Sequence, residues 1–264
     1  KTKADIIVLC GVHFMGETAK ILCPDKKVLV PDLNAGCSLA DSCPAPEFAE
    51  FVKQHPGHTV ISYVNTTAAV KAVTDVVTST NARQIVESFP EGTPMIFGPD
   101  RNLGNYINSI TGRNMLLWDG ACHVHEQFSL EKILSLKKQY PNAEVITHPE
   151  CKQPVIQVSD FVGSTAALLK HTIKSDAKQF IVATESGVIH EMRKQSPDKE
   201  FIPAPPNDST CACNECNFMR LNTMEKLYNC LKFEMPEIFV DEEVQKKAIK
   251  PIKKMLEISE KLGL

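Results

Sequence analysis

Short apolar runs recur along the chain, each closed by a polar residue, a glycine or a proline and followed by a stretch of helical spacing. The runs are Ile6–Cys10, Lys27–Val30, Thr59–Val64, Val73–Val77, Met95–Phe97, Met115–Trp118, Val145–Thr147, Asp160–Val162, Phe180–Ala183 and Phe201–Pro203. Such brief, Val/Ile-rich runs suit strands buried on both faces of a parallel sheet. Between them the spacing predicts helices over His13–Leu22, Thr67–Ala72, Ala82–Ser88, Leu103–Thr111, Leu130–Tyr140, Thr165–His171 and Gly187–Lys194. Strand and helix in alternation argue for an α/β fold with parallel sheets. The tail from Asp241 to Leu264 is charged and amphipathic, and reads as one helix packing back on the body.

The pattern also repeats. Ile61–Thr66 stands 85 residues before Ile146–Cys151, and Val77–Thr80 bears the same relation to Val162–Thr165. Met95–Asp100 likewise faces Phe180–Glu185. Each copy adds one more strand and a loop with a cysteine, Cys122 or Cys216. The opening segment, with Cys37 in its loop, matches only the last two strands of the other copies. Three similar three-layer α/β units around a pseudo-threefold axis are therefore expected, the first cut short by at least roughly 35 residues. The expected division is 1–44 with the tail 235–264, then 45–124, then 125–234.

Composition narrows the function classes. Apolar residues make up 43% of the 264 and charged residues 23%, as in an ordinary globular protein, which sets aside disordered and fibrous classes. A formal charge of −3 and the lack of a basic arm speak against a nucleic-acid partner. No apolar stretch is long enough to cross a membrane, and no signal peptide is recognisable, so the expected location is the cytoplasm, or a plastid for a plant source. In a reducing compartment the ten cysteines read as metal ligands or buried thiols rather than disulfides.

In parallel α/β units, ligands bind beyond the carboxyl ends of the strands. The polar residues there are Asp32–Cys37, Tyr63, Asn65, Ser79, Thr80, Asp100–Asn102, Asp119–Cys122, His148, Glu150, Ser164, Thr165 and Glu185. One cysteine from each unit, Cys37, Cys122 and Cys216, would converge on a common centre. Three thiolates can hold a cubane iron–sulfur cluster with one iron open; zinc, closed by Cys213 or a histidine, is the alternative, and a Cys213/Cys216 redox pair another. Cys10, Cys23 and Cys230 read as core, and Cys43 and Cys151 as structural. His123 and His125 flank the site, and alternation alone does not choose between them. Glu150 is a candidate general base or merely a first-turn acid. Ser79-Thr80 and Ser164-Thr165 are expected to cap helices whose N-termini could also cradle a phosphate.

The stretches Gly11–Leu22, Pro31–Asp41, Tyr63–Thr66, Gly98–Gly104, Gly120–His125, His148–Cys151, Val162–Thr165 and Cys211–Thr223 together resemble the quinolinate synthase family, in its cyanobacterial and plant-type branch. The resemblance implies a transferase of NAD biosynthesis that condenses iminoaspartate with dihydroxyacetone phosphate. It implies a 4Fe–4S cluster on Cys37, Cys122 and Cys216. It also implies a pocket lined by Tyr63, Asn65, Ser79, His125, His148, Glu150, Ser164 and Thr165, with Glu150, Tyr63 and His125 handling protons. A functional link to L-aspartate oxidase follows from the first substrate. The family's opening His-x-Tyr and Gly-Asp-Ser segments have no counterpart in this chain.

Overall fold

A computed structural model describes residues 3–208 and 215–264. The chain divides into two compact units, residues 1–120 with 217–264 and residues 121–216. In the first, β1 (Ile6–Val8), α1 (His13–Leu22) and β2 (Lys27–Leu29) form a two-stranded parallel sheet with its crossover helix. After α2 (Ser38–Asp41) and α3 (Ala45–Gln54) come β3 (Thr59–Tyr63), α4 (Ala68–Lys71), β4 (Val76–Thr78), α5 (Ala82–Glu87), β5 (Met95–Gly98), α6 (Arg101–Thr111) and β6 (Leu116–Leu117). Their sheet runs β4-β3-β5-β6, all parallel.

The second unit opens with α7 (His123–Glu126) and α8 (Leu130–Gln139). Then follow β7 (Glu144–Thr147), α9 (Gln153–Gln157), β8 (Phe161–Val162), α10 (Thr165–Lys174), β9 (Gln179–Ala183), α11 (Val188–Gln195) and β10 (Glu200–Pro203). Here the order is β8-β7-β9-β10, again all parallel. The chain returns to the first unit through α12 (Met224–Phe233) and α13 (Glu242–Lys261). The fold is thus α/β with three parallel sheets, as the alternation of runs predicts.

The internal repeat extends to single hydrogen bonds. Ile61 pairs with Val76 and Ile146 with Phe161; Thr59 pairs with Met95 and Glu144 with Phe180. Every one of these partners is displaced by the same 85 positions. Asp75 Oδ2 accepts from Val60 N at 2.8 Å, and Asp160 Oδ2 from Val145 N at 2.7 Å. Thr74 Oγ1 bonds Ser62 Oγ and Val70 O, while Ser159 Oγ bonds Thr147 Oγ1 and Val155 O. Each device ties a strand to the loop that enters its neighbour. That loop sets the register, and a slip of one residue would turn the buried faces of β3 and β7 outward.

The central strands carry the cores. Ile61, Met95 and Phe97 pack with Ile85 and Ile107 in one unit; Val145, Ile181 and Ala183 pack with Phe128 and Ile133 in the other. α6 lies so close to its sheet that a Cβ on Gly104 would meet Leu117 Cδ2 at 2.5 Å, so only glycine allows that approach. α13 buries Ala248 and Ile252 against Ile21, Ala68 and Val77, so the tail packs on α1, α4 and β4. Its N-terminus is capped by Asp241, which accepts from Glu243 N and Val244 N.

Five described α-helices depart from the sequence expectation: α2, α3, α7, α9 and α12 stand where no helix is predicted. Cys230, Cys43 and Cys151 are sealed, but Cys10 is exposed and Cys23 half-buried. β1 ends at Val8, so Cys10 lies past the sheet rather than in it. Ser79 and Thr80 do not cap a helix either; α5 starts after Asn81, whose side chain instead accepts from Ser79 N.

Because Asp75 and Asp160 play equivalent parts, Asp75→Ala and Asp160→Ala should each lower stability by about 1–3 kcal/mol, the cost of losing an ionic acceptor for a backbone donor. Urea denaturation of the two variants checks this, and a cost confined to one of them would show that the repeat is not energetic.

Candidate active site

The second unit gathers a thiol, two imidazoles and a carboxylate within a few ångströms. Cys122 stands in extended conformation directly before α7, with φ −74° and ψ 120°. Cys37 does the same before α2, 85 positions earlier. On a helical turn, residues two apart point about 200° from each other, so only one of His123 and His125 can face inward. His125 is the buried one, and His123 stays half-buried.

β7 delivers the other two groups. His148 N donates to Ala183 O at 3.1 Å, extending the β7–β9 ladder by one step. The chain then turns through Pro149, with Cys151 N bonded to His148 O and Cys151 Sγ donating to Ala183 O. This fully buried thiol is therefore an anchor of the loop. The turn buries both His148 and Glu150.

The His125 and His148 rings stack, centroids 4.7 Å apart and planes 25° off parallel. His125 Nδ1 lies 3.0 Å from Glu150 Oε2, yet the two are not aligned as a hydrogen bond, and that buried nitrogen has no other partner among the described residues. Its Nε2 meets Thr184 Oγ1 at 3.1 Å. Glu150 N donates to His148 Nδ1 at 3.3 Å, which places the proton of a neutral His148 on Nε2. The ligand atoms of Cys122, His125 and Glu150 all lie within 4.8 Å of one another.

The charges follow from this packing. Burial lowers His148 to about 4, against the attraction of the Glu150 charge, so at neutral pH its ring is neutral. Burial would by itself raise Glu150. The neighbouring His148 and His125 imidazoles and the Cys122 thiol outweigh it and hold the carboxyl down at about 2. The site thus keeps an ionised carboxylate in a dry setting beside an imidazole with an unsatisfied nitrogen.

The remaining candidates of this unit take distinct places. Cys216 is half-buried, and its N–H donates to Glu185 Oε1 at 3.3 Å, while Glu185 Oε2 accepts from Gly187 N. Glu185 therefore tethers the Cys216 loop to the end of β9. Ser164 caps α10, accepting from Ala167 N at 3.3 Å, and Thr165 is exposed in the first turn of that ten-residue helix. Cys211 and Cys213 lie outside the described residues. Thr184, buried against His125, is a site residue that sequence reasoning passed over; its signal was its place at the end of β9, beside Glu185.

In the first unit, Cys37 lines a cleft of about 220 Å³ with His13, Glu17 and Thr67. Tyr63 ends β3 half-buried, Asn65 follows in the loop, and Ser79, half-buried, directly follows β4. Behind that loop sits Lys71, fully buried although it is a lysine. Desolvation drags its pKa to about 7, against the pull of Glu17 and Cys37. Nothing in the spacing of α4 marks it.

With this geometry in place, the chain's relatives can be compared. Residues 1–257 match the family model for quinolinate synthetase A protein. The chain belongs to the quinolinate synthase family. It is 58% identical to a quinolinate synthase of Nostoc punctiforme over 260 residues, spanning 98% of this chain and 80% of that protein. A quinolinate synthase of Thermosynechococcus vestitus is 57% identical over 259 residues, 98% of this chain and 81% of its own. One from Chloroherpeton thalassium is 56% identical over 260 residues. No described helix is long and apolar enough to cross a membrane.

The depressed pKa of His148 carries a stability prediction. Between its ordinary 6.5 and about 4, the unfolded chain binds a proton that the folded protein refuses, so stability falls as pH drops through that window. Glu150 adds its own loss only below its ordinary 4.5. His148→Gln should therefore flatten the decline between pH 6.5 and 4.5 by on the order of 1 kcal/mol or more in urea denaturation. An unchanged slope would mean that His148 is not neutral in the folded protein.

Proposed function

We propose that the protein is a quinolinate synthase: it condenses iminoaspartate with dihydroxyacetone phosphate, giving quinolinate, inorganic phosphate and two waters, as a step of NAD biosynthesis. The observation that carries this reading is the buried, ionised Glu150, whose carboxylate, with His125 and Cys122, forms one cluster of reactive groups. Ring closure from these substrates demands repeated removal of protons from carbon and their return to departing oxygen. A dry carboxylate beside an imidazole is suited to that exchange.

The thiolates would be Cys37, Cys122 and Cys216, holding a 4Fe–4S cluster. The thiol chemistry fits: all three are half-buried, whereas Cys43, Cys151 and Cys230 are sealed, with burial pushing the Cys43 thiol up to about 12 and that of Cys230 upward. With three protein thiolates, such a cluster supplies an open iron that acts as a Lewis acid on substrate oxygen.

Glu150 takes the proton. His125, through its free Nδ1, accepts it or holds a substrate carboxylate, and Thr184 fixes the other face of the ring. Neutral His148 donates from Nε2. Tyr63 offers a phenolic hydroxyl, while Asn65, Ser79, Ser164 and Thr165 bind the phosphate and carboxylates. The iminoaspartate must come from oxidation of aspartate, the chemistry of an L-aspartate oxidase.

A second reading has its own support. Cys122, His125 and Glu150 are a donor set that a single zinc ion would also accept. The two readings part on the variants. Cys37→Ser, Cys122→Ser and Cys216→Ser should each strip iron under the cluster reading, whereas only Cys122→Ser should strip metal under the zinc reading. Glu150→Gln should keep fold and iron while turnover to quinolinate falls by about 10²–10⁴-fold, the range for a lost acid–base group. Near-normal turnover with iron intact would remove Glu150 from proton transfer.

A further inference from the structure

Lys71 breaks the repeat. Eighty-five positions on, its equivalent in the second unit is Ile156, which packs against an apolar core. An apolar side chain is thus enough to pack that place, and a lysine with no exposed surface calls for another reason. Its Nζ donates to Val64 O at 2.9 Å and also to Thr66 O. It stands 5.6 Å from the centre of the Phe14 ring, within cation–π range. Glu17, whose Oε2 accepts from Ala68 N at 3.0 Å, caps the same short helix and adds a compensating negative charge.

These acceptors bracket the loop that follows β3. Val64 O also accepts from Thr66 N at 2.8 Å, Tyr63 O accepts from Thr66 Oγ1 at 3.0 Å, and Val64 N donates to Thr78 O at 2.8 Å. Every carbonyl from Tyr63 to Thr66 except that of Asn65 is thereby held from behind. In the second unit the same turn is held differently, by Pro149 and by the Cys151 thiol on Ala183 O. Thr66 occupies the position of Cys151, so the first unit lacks that anchor.

We propose that Lys71 is a positioning residue: its amino group clamps the carbonyls of Val64 and Thr66 and so presents the side chains of Tyr63 and Asn65 to substrate. The assignment rests on the proposed quinolinate synthase activity. Lys71 itself touches no reacting atom, and its effect reaches the chemistry through Asn65 and Tyr63. A displacement of about 1 Å in such a loop is enough to cost roughly 10²-fold in rate.

The test is a double-mutant cycle in the full-length, iron-loaded protein, measuring kcat/KM for quinolinate formation, iron content and thermal midpoint. Lys71→Met keeps the chain length without the donors, and Lys71→Gln restores an N–H donor. Lys71→Met should lose about 10–100-fold in kcat/KM with iron retained, and Lys71→Gln should recover part of it. Combined with Asn65→Ala, Lys71→Met should add little to the loss from Asn65→Ala alone, because the clamp serves that side chain. Multiplying losses, or wild-type kinetics in Lys71→Met, would overturn the proposal. So would failure of both Lys71 variants to fold, since Lys71 would then be a residue of general stability. If Asn65→Ala and Tyr63→Phe are themselves unimpaired, it is the site reading that fails, whatever Lys71 does.

Discussion

Parallel strand pairing governs this molecule. Two parallel strands cannot be joined by a tight turn, so each connection crosses back over the sheet and every strand delivers its C-terminus to the same edge. β7 and β9, paired from Glu144–Phe180 to Thr147–Ala183, end side by side in His148 and Thr184. The next few residues of each strand must then share one small volume. His148, Glu150, Thr184 and Glu185 are neighbours for that reason. The same pairing of β3 with β5 and β4 brings Tyr63 and Asn65 to the corresponding edge of the other unit.

Placing a carboxylate at such an edge and then burying it is costly unless its charge is met. Glu150 is met by His125, by the Cys122 thiol and by His148. The cost is therefore offset by groups of the same cluster, and losing any one of them leaves the others mismatched. Asn65, at the equivalent place in the first unit, carries no charge and needs no such escort. One scaffold has thus been specialised twice, as a carboxylate pocket in one unit and as a neutral, lysine-backed loop in the other.

Much of this was legible in the sequence where local pattern and tertiary role agree. The run Thr59–Val64 is apolar because β3 is buried on both faces, and α1 matches its expected bounds because its apolar stripe faces β2 and α13. α3 was not legible: it opens on Pro44-Ala45-Pro46, which interrupts any apolar periodicity, although proline is at home in the first turn of a helix. α12 was hidden for the opposite reason. Met224, Tyr228 and Leu231 are exposed, so its apolar residues trace no core-facing stripe. His125 could be separated from His123 only once the segment proved helical. Lys71 was not legible either, because its partners are backbone carbonyls, which no side-chain pattern announces.

The proposed cluster on Cys37, Cys122 and Cys216 is open to direct measurement. X-ray absorption at the iron edge of anaerobically reconstituted protein reads the atoms around bound iron. The account predicts a sulfur-dominated shell with an iron–iron vector, and loss of that vector in the Cys37→Ser protein. An isolated metal with nitrogen and oxygen neighbours, unaltered by Cys37→Ser, would contradict it and assign Cys122, His125 and Glu150 as a single-ion site.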